Sequence, residues 1–188
     1  MKKIILISIF ILISALSAQA NEIKRIFVGN ESAKISIIAF ESLTCSYCAK
    51  FHQDVYPLLK KEFLDTGLAK IEFRHFPLDI AAFNASKVAQ CTNDGNLEIL
   101  ESLYANQQKW VKGSSIEEAN INLQKFLSKE GFNIDFESCI NNKQIEDFVL
   151  NDRIDGAKNF KVNATPTIII NNKKFEKTLN YKNLKKDS

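Results

Sequence analysis

A chain of 188 residues, 45% hydrophobic and 25% charged, has the make-up of a globular protein, with length for one domain and an inserted subdomain. Fourteen Phe against one Trp and four Tyr point to a well-filled apolar interior. Setting aside Lys2 and Lys3, which fall in a leader, leaves 23 basic against 22 acidic residues, so net charge gives no case for binding nucleic acid or an anionic membrane.

The leader comes first in chain order. Lys2 and Lys3 form a short basic start, Ile4 to Leu16 is nearly all apolar, and Ala18-Gln19-Ala20 is an A-x-A cleavage signal. Residues 1–20 therefore read as a secretory signal peptide, cut between Ala20 and Asn21. The alternative is an uncleaved anchor, but the run is short for a span that needs about 20 residues. All four cysteines (Cys45, Cys48, Cys91 and Cys139) follow the leader. Export to an oxidising compartment permits disulfides, and four cysteines allow three pairings.

Ala33 to Phe40, AKISIIAF, is short, apolar and β-branched, and predicts a buried strand. From Cys45 to about Leu64, Phe51, Val55, Leu58, Leu59 and Phe63 recur at helical spacing, with a kink expected at Pro57. Thr66-Gly67 ends that helix, and Leu68 to His75 alternates as a second strand. Strand, helix and strand in so few residues make a βαβ unit with parallel strands. Cys45 and Cys48 then sit at the strand-to-helix turn, outside the carboxyl end of a strand, where chemistry is commonly placed.

The next eighty or so positions, from about Ile80 to Phe160, are helical in pattern: 81–89, 97–110, 116–128, 136–140 and 144–160. Tyr104 and Trp110 read as core of this insert, with Trp110 in a peptide groove as the alternative. Thr167 to Ile170 is a strand, Asn171-Asn172 a hairpin turn, Lys173 to Phe175 the return strand, and Tyr181 to Lys186 a short helix. The fold class is α/β, a thioredoxin-like fold of βαβ and ββα halves with an inserted all-helical subdomain. Its divisions are the leader over 1–20, an N-terminal part with the CxxC over 21–79, the helical insertion over 80–161, and a C-terminal part over 162–188.

Three stretches carry a family resemblance: SLTCSYCAKFH at 42–52, FRHFPLD at 73–79 and VNATPTIIINNKKF at 162–175. With them, and with the leader and insert in the same order, the chain resembles the DsbA family of secreted thiol–disulfide oxidoreductases over essentially its whole mature length. The resemblance implies a redox pair of Cys45 and Cys48, with Ser46 and Tyr47 between them. It also implies a cis Thr165–Pro166 bond abutting the pair, where the Thr165 backbone pairs with an extended substrate, and a structural disulfide between Cys91 and Cys139. A loop of that length is worth about 4 kcal/mol in the chain-entropy model.

The residues give a reason for the redox role. At a helix N-terminus, Cys45 meets unpaired backbone N–H groups and the positive end of the helix dipole. These draw a thiol down from about 8.5 towards the thiolate range of CxxC motifs. A stable thiolate leaves easily, so the disulfide that contains it is oxidising. Cys48, one turn on, is expected to be more buried and to act as the resolving thiol.

Two departures from the family pattern matter. Its commonest dipeptide is Pro-His, and Tyr47 cannot stabilise a thiolate by charge, so a less oxidising pair than in the strongest members is expected. Members can also carry a buried acid six positions before the first cysteine, and Ala39 stands there. Glu41 reads as out of register and exposed in the loop. His52 and His75 read as packed residues, with a metal ligand as the alternative for His52.

The function expected is an exported or periplasmic enzyme that donates its Cys45–Cys48 disulfide to folding proteins with free cysteines. It needs no dissociable cofactor and no metal, and binds no nucleic acid. By resemblance, a membrane quinone-linked thiol oxidase reoxidises it. A reductase or isomerase using the same pair is the rival, although the twelve residues between the leader and Ala33 leave little for a dimerisation domain, and a monomer is expected. A soft-metal TCxxC protein or a purely structural disulfide protein are the remaining alternatives.

Overall fold

A computed structural model describes residues 22–187 of the chain, so the leader expected over 1–20 lies outside the described residues. Among the described residues, no helix is long and apolar enough to cross a membrane. Five strands form one sheet in the order β1-β3-β2-β4-β5: β1 Ile26–Gly29, β2 Ile35–Glu41, β3 Ala69–His75, β4 Thr167–Ile170 and β5 Lys173–Lys174. As the βαβ pattern requires, β2 and β3 are parallel; β1 on β3, and β4 on β2, run antiparallel.

Period-two alternation sorts the strand residues between the two faces. On β2, Ile37 and Ala39 join one core cluster and Ile38 and Phe40 another. The first face is covered by α1 Ser46–Asp54 and α2 Tyr56–Leu59, then by the insert, whose helices include α3 Ile80–Gln90, α4 Glu98–Ala105 and α5 Gln107–Trp110. Two further insert helices, α6 Ile116–Lys129 and α7 Phe136–Ile140, pack around α3 and α5. The helix pattern read over 45–64 is broken at Val55, two residues before Pro57, and continues past α2 as a π-helical turn over Lys60–Leu64. Pro57 has no N–H to offer and crowds the preceding turn, so the break falls on its N-terminal side.

Two features were not legible in the pattern. Strand β1 is only four residues long, and its Gly29 is required by contact: at φ +104° a Cβ there would stand 2.5 Å from the Ala69 carbonyl oxygen. The long helix α8, Lys143–Asn159, which reads with the insert, packs on the second face of the sheet. Arg25 bridges the buried Asp152 of α8 and Glu72 of β3, while Arg74 reaches Glu72 and Asp155. After β5 the chain ends in α9, Tyr181–Asp187, which packs on α2.

Gly156 sets how closely α8 approaches. A Cβ there would lie 2.8 Å from Phe40 Cε1 and 3.2 Å from Phe76 Cδ2, both in the second core cluster. Alanine is favoured over glycine in a helix by about 1 kcal/mol, but overpacking a core costs about 1–3 kcal/mol, and a larger side chain adds to the clash. Gly156→Val is therefore expected to lower the free energy of urea unfolding by at least about 1 kcal/mol; unchanged or increased stability would show that the helix stands off the sheet.

Candidate active site

Strand β2 delivers a tight loop, Ser42 to Thr44, and then Cys45 as the N-cap of α1, with extended backbone at φ −78° and ψ 119°. The Cys45 N–H donates to Ser42 O at 3.0 Å. Two neighbouring segments hold this loop. From the 73–79 stretch, Phe76 N–H donates to Glu41 O at 2.7 Å and Leu78 N–H to the Ser42 hydroxyl at 3.2 Å. Asp79, which caps α3, accepts the Thr44 hydroxyl at 2.6 Å. From the insert, the buried Gln107 amide donates to Leu43 O at 2.8 Å and Cys45 O at 3.1 Å. In sequence Gln107 falls within the helix read over 97–110, three residues after Tyr104; a polar residue beside the apolar positions was the available signal.

The two thiols differ sharply. Cys45 is half-buried, and its Sγ–H donates to the Thr165 carbonyl oxygen at 3.3 Å. Its pKa is lowered from 9.0 to about 5, first because the Cys48 thiol donates to it, and then because the Thr165 hydroxyl and the Cys48 and Tyr47 backbone N–H groups favour the thiolate against partial burial. Cys48 is fully buried. Burial pushes its thiol far up, as do its hydrogen bond to Cys45 and the negative charges of Glu41 and Cys45; the Ser42 N–H acts weakly the other way.

The other expected site residues fall as follows. The Thr165–Pro166 bond is cis, and Thr165 meets Cys45 across the α1 N-terminus. Ser46 and Tyr47 are exposed, Tyr47 at 73%, so the tyrosine contributes its N–H but not its ring. Cys91, at the end of α3, and Cys139, in α7, are bonded to each other with Cα atoms 5.5 Å apart. Trp110 is buried in the insert and donates to Leu103 O at 2.9 Å. His75 is buried against Gln90 at 3.2 Å, and burial lowers its pKa.

Glu41 is corrected by the structure. It is not an exposed loop carboxylate but the last residue of β2, 3% exposed, and accepts a hydrogen bond from His52 Nε2 at 2.9 Å. Nor is it out of register with Ala39: two residues along a strand return to the same face, so Glu41 stands one pleat nearer the cysteines. Among the described residues, no group of three or more His, Cys, Asp or Glu is placed to hold a metal ion, and His52 is engaged with Glu41.

The thioredoxin family model matches residues 21–186. The crystal structure of Wolbachia pipientis alpha-DsbA1 superposes with a TM-score of 0.77 at 26% identity, over 87% of this chain and 88% of that one. Disulfide bond formation protein D of Bacillus subtilis is 26% identical over 84% of this chain and 72% of its own length. A Rickettsia typhi protein whose assigned name proposes protein-disulfide oxidoreductase activity is 25% identical over 77% of this chain, which spans about half of that relative's length (53%).

Titrating the reduced protein by ultraviolet thiolate absorbance is expected to show one group with a midpoint near 5 and no second thiolate at neutral pH. The Cys45 value lies below the ordinary 9.0, so the thiolate contributes stability to the reduced form that is fully present above about 9 and lost as pH falls through about 5. A first midpoint near 9 would mean that the helix N-terminus and Cys48 do not act on Cys45.

Proposed function

The chain belongs to the thioredoxin family, in its DsbA-type branch, and from that premise we propose that it is an exported thiol–disulfide oxidoreductase that donates a Cys45–Cys48 disulfide to folding proteins. The observation that carries this reading is the contrast between a half-buried Cys45, held to about 5, and a fully buried Cys48 one helical turn away.

In the donor direction, a substrate thiolate attacks Cys45 Sγ, the Cys45–Cys48 bond breaks, and its electron pair leaves on Cys48, which then takes a proton. A second substrate thiolate attacks the substrate sulfur of the mixed disulfide. The new bond forms within the substrate, and Cys45 departs as the stable thiolate. The disulfide is itself the oxidant, so no dissociable cofactor enters. An extended substrate pairs with the Thr165 backbone beside Cys45. A recess of about 360 Å³ lined by Tyr47, Phe51, Val55, Thr165, Pro166 and Leu179 takes an apolar side chain of the same segment. Leu78 and Ile80 are also exposed, on either side of Asp79 and its bond to Thr44.

The Cys91–Cys139 bond serves the fold of the insert, since it lies away from the helix start that activates Cys45. Reoxidation by a membrane quinone-linked thiol oxidase, export through the 1–20 leader and action as a monomer complete the reading. The reductase reading keeps one observation in its favour: the Ser46-Tyr47 dipeptide adds no positive charge next to Cys45.

Equilibrating the protein in graded glutathione buffers and trapping the thiols decides between them. A thiol near 5 lies between the strongly oxidising and the thioredoxin-like ends of the CxxC range, about 3.5 and about 7. The midpoint expected is nearer about −120 mV than about −270 mV. A value near the lower end would make the protein a reductase, and failure to form a reversible Cys45–Cys48 disulfide would end the redox reading.

A further inference from the structure

The recess beside Pro166 receives the part of a substrate that lies against Thr165. A second cleft, of about 450 Å³, lies on the other face of α1, lined there by Ala49, His52 and Gln53. The exchange steps above make no use of it. Both of its walls run to Cys45. On the α1 side, the Ala49 N–H donates to Cys45 O at 3.2 Å. On the α4 side the wall ends at Ala105, and Gln107, two residues on, donates its amide to the same oxygen at 3.1 Å.

Three acceptors border this cleft without a partner of their own. Tyr56 is 3% exposed, and its hydroxyl is buried with no hydrogen bond. The His52 side chain is 6% exposed, and its Nδ1 is likewise unpartnered. His52 Nε2 donates to Glu41 Oε2 at 2.9 Å, which leaves Nδ1 with a bare lone pair. Glu101 of α4 is exposed, and its carboxylate has no ion-pair partner among the described residues. A buried hydroxyl and ring nitrogen left unpaired are costly, and a ligand that donates to both removes the cost.

Charge and shape narrow the ligand further. Burial raises the Tyr56 hydroxyl first, and then the negative charges of Glu101, Asp65 and Glu41 do so. Lys60 also borders the cleft, but its ammonium is held by Asp65 at 2.6 Å. The His52 ring stacks on Tyr104 at 4.3 Å between centroids and stands 5.4 Å from Tyr56, so aromatic surface lines the space. Such surface suits a cation carried on an apolar stem. A primary ammonium has three N–H donors and no acceptor, which matches three acceptors. A carboxylate or phosphate would meet bare lone pairs and the Glu101 charge.

Ala49 lies one turn of α1 from Cys45 and Gln53 two, at about 5.4 Å per turn, while an extended chain advances about 3.3 Å per residue. We propose that the cleft is a second substrate subsite, taking the side chain of a lysine about two to four residues from the substrate's reacting cysteine. Its ammonium donates to the Tyr56 hydroxyl, His52 Nδ1 and Glu101, and its methylene stem lies along the rings. The subsite rests on the disulfide-donor reading above and deepens it, because it names a substrate class: exported proteins whose free cysteines have a lysine close by in sequence. Thr165 and Pro166 hold such a segment on one side of Cys45, and the lysine holds it on the other.

The test measures how fast the oxidised protein oxidises synthetic dithiol peptides that differ only in a lysine or a norleucine, three residues before or after the first cysteine. Each rate is divided by the same peptide's rate with glutathione disulfide, which removes the lysine's own effect on its neighbouring thiol. A normalised preference for lysine of roughly tenfold is expected in at least one of the two positions. Tyr56→Phe keeps the ring and the charge, and should cut that preference to about threefold. Glu101→Lys, at an exposed position, should abolish or reverse it. Equal normalised rates at both positions, or a preference that neither variant moves, would overturn the subsite and leave the disulfide-donor reading standing. A preference lost in Glu101→Lys but untouched in Tyr56→Phe would overturn it too, as general charge steering. A protein that oxidises none of the peptides would sink the disulfide-donor reading, and the subsite with it.

Discussion

One turn of helix separates the two active-site sulfurs, and the behaviour of the site follows from what that turn does to each. Cys45 is the cap, at the open end of α1, where backbone N–H groups have no helical partner and a thiolate can use them. Cys48 is on the inward face of the same turn, packed in the core cluster that β2 and β3 share with the insert. The same hydrophobic packing that seats α1 on the sheet therefore makes one thiol acidic and strips the other of solvent. The difference between them is a consequence of folding, and the Cys48–Cys45 hydrogen bond reinforces it in both directions.

The rest of the molecule holds that turn in place. The 76–79 segment ties down Ser42 and Thr44, Gln107 reaches from the insert to two carbonyls of the loop, and Thr165 closes over Cys45. The insert is thus more than a cover: its α5 helix start supplies direct bonds to the active-site backbone. On the opposite face of the sheet, the Arg25–Asp152 and Arg74–Asp155 pairs and the Phe40–Gly156 contact fix α8. Its Asp152 also accepts the backbone N–H of His75, the residue just before Phe76, so the second layer is connected to the loop that braces the first.

What could be read from sequence was whatever local pattern decides. The βαβ unit, the CxxC at a strand-to-helix turn and the 167–170 strand each follow from periodicity. Asn171 and Asn172 both adopt positive φ, as a tight hairpin asks of asparagine. What escaped depends on contacts between distant segments. Strand β1 has four residues and is defined by its pairing with β3. Helix α8 has the same period as its insert neighbours, and only its ion pairs and the close approach of Gly156 to Phe40 assign it to the other face. Glu41 was misread because a carboxylate at a strand end looks exposed until His52, eleven residues on, is folded over it; the two-residue offset from Ala39 was the clue available. Val55 breaks the helix ahead of Pro57, a displacement that period counting does not resolve.

The asymmetry of the two sulfurs can be tested on the reduced protein by alkylating it with iodoacetamide at mildly acidic pH and locating the label by peptide mass spectrometry. Labelling confined to Cys45, with Cys48 reacting only after denaturation, is the expected result. Equal labelling of both cysteines, or preferential labelling of Cys48, would contradict the idea that the fold exposes one thiolate and shelters its partner.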